Sequence, residues 1–266
     1  MDREPAVAGR FYGDGPSALA REVDAYLSAA PGEKLAATGV VAPHAGYLYS
    51  GAIAGAVYGR ILVPPRVILL GPNHTGLGRP IALWPAGGGW RTPLGTVPIA
   101  AALTEALLAG GLAVVDRAAH LREHSLEVQL PFLQRARPDV EIAALCLGPL
   151  DVGECERVGR AVAAAARDFG ALVVASSDMS HYISAAAARE KDHRAIERIL
   201  ALDPEGLHGT VRREGITMCG VVPTTAMLFA ARALGATRAE LVRYGNSGEV
   251  NGDTRQVVGY AGLVVA

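Results

Sequence analysis

Short β-branched runs alternate along the chain with longer, alanine-rich stretches whose apolar residues recur at helical spacing. That alternation is the pattern of an α/β layer fold around a largely parallel sheet. Strands are expected near 38–42, 66–71, 81–84, 112–115, 140–147, 171–176, 239–244 and 256–265. Helices are expected over 15–29, 50–61, 99–110, 124–136, 151–169, 185–201 and 223–234. Local signals agree: Asp151 is placed to cap one helix, Gly170 sits just past its end, and Pro223 falls where a first helical turn tolerates it. No long Ser/Pro-rich or charged linker interrupts the alternation. The most loop-like stretch, "PAGGGWRTPLG" from Pro85 to Gly95, is too short to separate domains. The expectation is α/β, one domain over 1–266, with a mostly parallel or mixed central sheet flanked by helices.

Composition narrows the class. A chain of 266 residues, half of them hydrophobic, is long enough for a substantial core. No uncharged apolar run approaches the ~18–20 residues of a membrane helix, so no membrane partner is expected. The first residues, "MDREPAVAGRFYGDG", do not read as a secretory signal. A net charge of −1 gives no electrostatic case for nucleic acid, and three scattered cysteines make no disulfide framework. A reduced, cytoplasmic protein is the expectation.

Three strands end on chemistry. "VVAPHAG" delivers His44, "VILLGPNH" delivers His74, and "LVVASSDMSH" delivers Asp178 and His181. In an open α/β sheet ligands bind beyond the carboxyl ends of the strands, so these residues should share one rim. His124 opens "HSLEVQLPFL"; with Glu127 and Gln129 it either belongs to a solvated helix start or reaches the crevice. His120, His193 and His208 read as surface residues. Cys219, in "ITMCGVVPTT", precedes a helix whose positive end should lower its pKa. The alternative for it is a small buried hydrophobe, the role that suits Cys146; Cys155 carries no signal. Two imidazoles and a thiolate form a soft three-ligand set that suits Fe(II), Zn or Cu and suits Mg or Ca poorly. Asp178 and His181 would then act as an acid/base pair or orient the ligands.

"AGRFY" (Ala8 to Tyr12), "PHAGYLYSG" (Pro43 to Gly51), "GPNH" (Gly71 to His74), "EHSLEVQLPFL" (Glu123 to Leu133), "SSDMSHY" (Ser176 to Tyr182), "CGVVPT" (Cys219 to Thr224) and "YGNSG" (Tyr244 to Gly248) resemble the Memo family. Within it the chain looks like the bacterial and archaeal branch labelled AmmeMemoRadiSam system protein B. The resemblance implies a fold similar to class III extradiol ring-cleavage dioxygenases, which are non-haem iron enzymes. It implies His44 and His74 as the imidazole ligands and Cys219 in place of a carboxylate ligand. It implies His181 as the acid/base histidine, with Asp178 its neighbour. Tyr47, Asn73 and Tyr182 lie beside these positions and, with His124, are candidates to orient a small-molecule substrate.

Three functions compete. The first is a dioxygenase-like redox enzyme, with Fe(II) as the metal and Zn or Cu as alternatives. The second is a metal-dependent hydrolase. The third is a non-catalytic protein binding a peptide or partner over a vestigial metal site, for which Arg79 and Arg91 would be the cations. The resemblance also implies a functional link to a radical-SAM protein and a small companion protein.

Overall fold

The computed structural model describes residues 2–30 and 32–266. In chain order the elements are α1 (Pro16–Ser28), β1 (Gly39–Ala42), α2 (Tyr47–Arg60), β2 (Arg66–Pro72), β3 (Ile81–Leu83), β4 (Gly89–Thr92) and β5 (Gly95–Pro98). There follow α3 (Ala101–Ala109), β6 (Val114–Val115), α4 (Leu130–Ala136), β7 (Glu141–Leu147), α5 (Val152–Phe169), β8 (Leu172–Ser176) and β9 (His181–Ile183). The chain ends with α6 (Ala185–Leu200), α7 (Pro204–Arg213), α8 (Val221–Ala233), β10 (Ala239–Asn246), α9 (Gly248–Asn251) and β11 (Val257–Val265).

The main sheet runs in the order β10-β11-β1-β8-β2-β7-β3-β6, with β9 paired to β11. Its centre is parallel: β1 with β8, β8 with β2, and β2 with β7. Antiparallel pairs flank it, β1 with β11 and β10 with β11 on one side, β3 with β7 on the other. The fold is thus a single α/β domain with a mixed sheet. Period-two alternation divides the central strands between two cores. Val41, Ile68, Leu70, Leu145 and Val173 pack into one, under α5 and α8. Val40, Val67, Leu69, Ile142 and Val174 pack into the other, under α1, α2 and α4. Strands buried on both faces need the continuous apolar runs that these four carry.

The α5 ends follow the local signals. Asp151 accepts from the Glu154 backbone amide while Glu154 accepts from that of Asp151, and Gly170 closes the helix at φ 62°. Several segments depart from expectation. Part of the glycine-rich loop is a hairpin, β4–β5, because Arg3 extends it: Arg3 N–H donates to Gly89 O and Arg91 N–H to Arg3 O. Trp90 is thereby fully buried. The expected strand over 112–115 shrinks to two residues, and the expected helix over 124–136 begins with a 3₁₀ turn at Glu127–Gln129 before α4. Helix α7 was unforeseen, although Asp203 caps it by accepting from Gly206 N–H and Pro204 occupies its first turn. Among the described residues no helix is long and apolar enough to cross a membrane.

Candidate metal centre

β1, β8 and β2 are adjacent and parallel, so their carboxyl ends open on the same edge. His44 follows β1, His74 follows β2, and Asp178 follows β8. The ring centroids of His44 and His74 are 5.2 Å apart.

The His44 imidazole is almost completely buried, and Ser176 fixes its tautomer. The single hydroxyl hydrogen of Ser176 goes to Ser125 O at 2.7 Å, while Gln129 Nε2 donates to Ser176 Oγ at 2.8 Å. Ser176 Oγ therefore accepts from His44 Nδ1 at 2.8 Å. Nε2 is left with its lone pair facing the site. Burial, with the nearby His124 and His74, pulls the His44 pKa well below the ordinary histidine value, so the ring is neutral.

His74 is held by Glu123, a carboxylate absent from the sequence-derived candidates. Glu123 accepts from His74 Nδ1 at 2.9 Å and from the His74 backbone amide at 2.6 Å. It also accepts from the amides of His124 and Ser125, both at 2.9 Å. Burial alone would raise the Glu123 pKa, but the hydrogen bond and charge of His74 and these amides outweigh it and bring it to about 2. For His74, burial lowers the pKa, and Glu123 and Asp178 more than reverse it. Donation from Nδ1 to the carboxylate leaves Nε2 outward. Gly71 lets the Ser125 and Leu126 side chains settle on the end of β2; a Cβ there would lie 2.6 Å from Ser125 Oγ and from Leu126 Cδ2.

Cys219 comes from outside the sheet, one residue before the Gly220 N-cap of α8. Gly220 sits hard against β8, where an added Cβ would clash with Ser176 O and the Ser177 side chain. Its amide donates to Ser177 Oγ at 3.0 Å. Cys219 Sγ lies 3.3 Å from His44 Nε2 and accepts from the Asp178 amide at 3.2 Å. One donor atom from each of His44, His74 and Cys219 falls within 4.8 Å of the other two. The expectation that the α8 end lowers the thiol pKa is overturned: burial first, then the Asp178 charge, push it up.

Asp178 is buried, accepts from the His44 amide at 2.8 Å, and places Oδ2 4.0 Å from His44 Nε2. Burial raises its pKa against the pull of that amide and of His181 and His124. His181 is part-exposed; its Nδ1 donates to Thr217 O at 2.9 Å, which leaves Nε2 outside that hydrogen bond. His124 stacks on His74 at 4.7 Å and meets His44 edge-on at 5.4 Å, so its ring joins the cluster. His74, Glu123 and His124 also form a second convergent donor group.

The remaining candidates serve other contacts. The Tyr47 hydroxyl donates to Val128 O at 2.7 Å and its ring packs on Phe132 at 4.8 Å. Asn73 shapes its own loop, accepting from Thr75 and Gly76 amides and donating to Leu77 O. Tyr182 is 73% exposed and holds φ 58°, a conformation that bulky residues rarely adopt. His120 and His208 are buried rather than on the surface, whereas His193 is part-exposed. His120 lies in a box with Trp84 and Trp90. Glu127 and Gln129 are fully buried, not solvated. Glu127 pairs with Arg3 at 2.6 Å and accepts from Ala6, Val7 and Tyr12, latching the N-terminal segment beside His124. Cys146 and Cys155 are buried, and burial raises both thiol pKa values. Arg91 faces Glu4 and Asp2, while Arg79 lines a groove with Asp116 and Glu154 that includes none of these histidines.

Comparison with known proteins gives the chain a family. The family model described as "Memo-like protein" matches residues 3–264. A MEMO1 family protein of Aquifex aeolicus is 45% identical over 263 residues, 98% of each chain. One from Methanosarcina barkeri is 44% identical over 266 residues, 99% of each, and one from Methanopyrus kandleri is 42% identical over 281 residues, also 99% of each. Among solved structures, an uncharacterized protein of Escherichia coli K12 matches 75% of this chain and 86% of its own, at 18% identity and a TM-score of 0.44. That last likeness is too loose to carry an argument.

Proposed function

This chain belongs to the Memo-like protein family, and from that premise we propose that it is a metal-dependent, dioxygenase-like redox enzyme acting on a small-molecule substrate. The ion would be held by His44 Nε2, His74 Nε2 and Cys219 Sγ. The observation that carries the reading is the convergence of these three donors within 4.8 Å. Both imidazoles spend Nδ1 on a fixed acceptor, Ser176 or Glu123, so both present an Nε2 lone pair. The residues fit an ion of this class, since two imidazole nitrogens and one thiol sulfur converge on one point. Two nitrogens and one sulfur favour iron(II), zinc or copper over magnesium or calcium. When bound, iron would supply electron exchange between the substrate and oxygen.

The chain's own groups would manage protons and orientation. His181 Nε2 would give or take the substrate proton, with Thr217 O fixing the tautomer. Asp178 would hold the His44 backbone and stabilise positive charge on the neighbouring histidines. Glu123 would keep His74 in its ligating orientation.

Anaerobic reconstitution with Fe(II), Zn(II) and Cu(II), followed by elemental analysis and an oxygen-uptake screen over catechols and thiols, tests this. Near-stoichiometric iron and substrate-dependent oxygen uptake are expected. Hydrolysis supported by zinc without oxygen would replace the reading with a metal-dependent hydrolase. Failure to retain any of the three ions would leave a non-catalytic binding protein. The same proposal includes the link to a radical-SAM protein and a small companion, which co-purification from the native source would check.

A further inference from the structure

Beside the imidazole cluster runs a groove of about 450 Å³ between residues 6–11 and 121–124. Its apolar wall includes Phe11, whose ring lies 4.8 Å from His124. The opposite side of the cluster is within reach of the same imidazole, because His124 stacks on His74 at 4.7 Å with the planes 20° apart. His124 is therefore the wall that the groove shares with the donor set.

Two exposed arginines, Arg10 and Arg122, line this groove. Several arginines elsewhere on the surface are taken up by carboxylates, as Arg91, Arg135 and Arg194 are. Among the described residues, no carboxylate lies within ion-pair distance of Arg10 or Arg122. The negative groups nearby, Glu123 and Asp178, are buried and already engaged by amides and histidines. The groove thus has a cationic edge and an aromatic wall. A ligand with an anion at one end and an uncharged ring at the other matches that order: two guanidiniums take the two oxygens of a planar carboxylate, and the ring lies along Phe11 and His124.

We propose that this groove is the substrate subsite of the centre, and that it takes a small aromatic or other planar carboxylate held between Arg10 and Arg122. The inference deepens the metal-enzyme reading, since it names what that centre acts on, but the binding site stands on its own residues.

The test is binding to the full-length, metal-free protein by calorimetry at low salt, with benzoate as probe and benzamide and acetate as controls. Benzoate is expected to bind at least about tenfold more tightly than either control, and to weaken as salt is raised. Arg10→Gln and Arg122→Gln should each weaken benzoate about three- to tenfold, the modest loss expected of solvent-exposed cations. The imidazole resonances of His124 should shift on titration, which locates the ligand. Arg10→Lys and Arg122→Lys keep the charge and should recover part of the affinity. Benzamide binding as tightly as benzoate, or glutamine variants that bind it like the parent, would overturn the proposal. Phenyl phosphate binding better than benzoate would overturn the carboxylate assignment. The two readings can fail separately. Arginine-dependent benzoate binding in a protein that takes up no metal keeps the subsite and removes the metalloenzyme; the reverse result does the opposite.

Discussion

Replacing Glu123 by glutamine isolates the group that orients His74. The carboxylate is 1% exposed and receives four N–H donors: His74 Nδ1 and the amides of His74, His124 and Ser125. Glutamine keeps the volume but removes the charge and replaces one acceptor oxygen with an NH₂ that must face a donor. The displacement of the carboxyl pKa from 4.5 to about 2 gives the scale. At 1.36 kcal/mol per unit it corresponds to about 3 kcal/mol of native-state preference for the carboxylate. The sign follows from which state protonates first. Below pH 4.5 the unfolded chain takes up the proton while the folded one does not, so this stability is complete above 4.5 and disappears as pH falls toward 2. Urea unfolding of the metal-free protein at neutral pH should show Glu123→Gln less stable by a few kcal/mol. Its stability should also decline less steeply than the parent's between pH 4.5 and 2. Metal affinity should fall about 10- to 100-fold, the usual cost of losing the carboxylate behind a ligating histidine. Unchanged stability and an unchanged acid profile would refute the claim that this carboxylate is charged and fully engaged.

Three further outcomes follow from other parts of the structure. Cys219→Ser should lose bound metal while Cys146→Ser, a buried thiol outside the convergent donor group, should keep it; equal retention by elemental analysis would remove Cys219 as a ligand. Arg3→Met leaves the Glu127 carboxylate buried and uncompensated, so denaturant unfolding should show a loss of about 3–5 kcal/mol, and a loss under ~1 would contradict the buried pair. Burial chiefly, with Arg3 adding to it, lowers the His120 pKa to about 4, so the folded state keeps this ring neutral. From pH 6.5 down to 4 the unfolded chain gains that proton alone, and about 3 kcal/mol of stability should drain away over that window. His120→Phe should make the decline shallower, and an identical slope would mean that the ring is not the titrating group.

The sheet was legible because its four central strands are apolar without interruption, and the residues that follow three of them carry the imidazoles and Asp178. What escaped the sequence depends on distant partners. Nothing local in "GGGWRT" announces a hairpin, because its outer edge is completed by Arg3, 86 positions before Gly89 in the chain. Glu127 and Gln129 look like solvated helix residues until Arg3, Tyr12, Ser176 and Tyr58 reach them. His120 looks polar in its neighbourhood but is boxed by Trp84 and Trp90. Glu123 had one signal available: it stands directly before His124 in the segment that resembles the Memo family, and its role became visible only when β2 placed His74 above it.

The spacing of strands explains why the candidate centre needs β8 as much as the two ligand-bearing strands. β1 and β2 are not paired with each other; β8 lies between them and pairs with both. Two strand spacings are about 9.6 Å, yet the rings of His44 and His74 stand 5.2 Å apart. The two imidazoles therefore lean inward over the end of β8, toward a region where they would repel each other if protonated. β8 is built to hold them there. Ser176 takes the proton-bearing nitrogen of His44, and Asp178 takes its backbone amide. Gly220 lets the α8 approach close over the same strand end, so Cys219 arrives from the side that the sheet leaves open. On this account, Ser176→Ala should disturb His44 as much as a change on β1 itself would. The ring would lose its Nδ1 acceptor, and Gln129 and Ser125 would lose their shared partner. Metal affinity reduced about tenfold or more with the fold retained is the expected result; parent-like affinity would show that β8 merely spaces the two histidines.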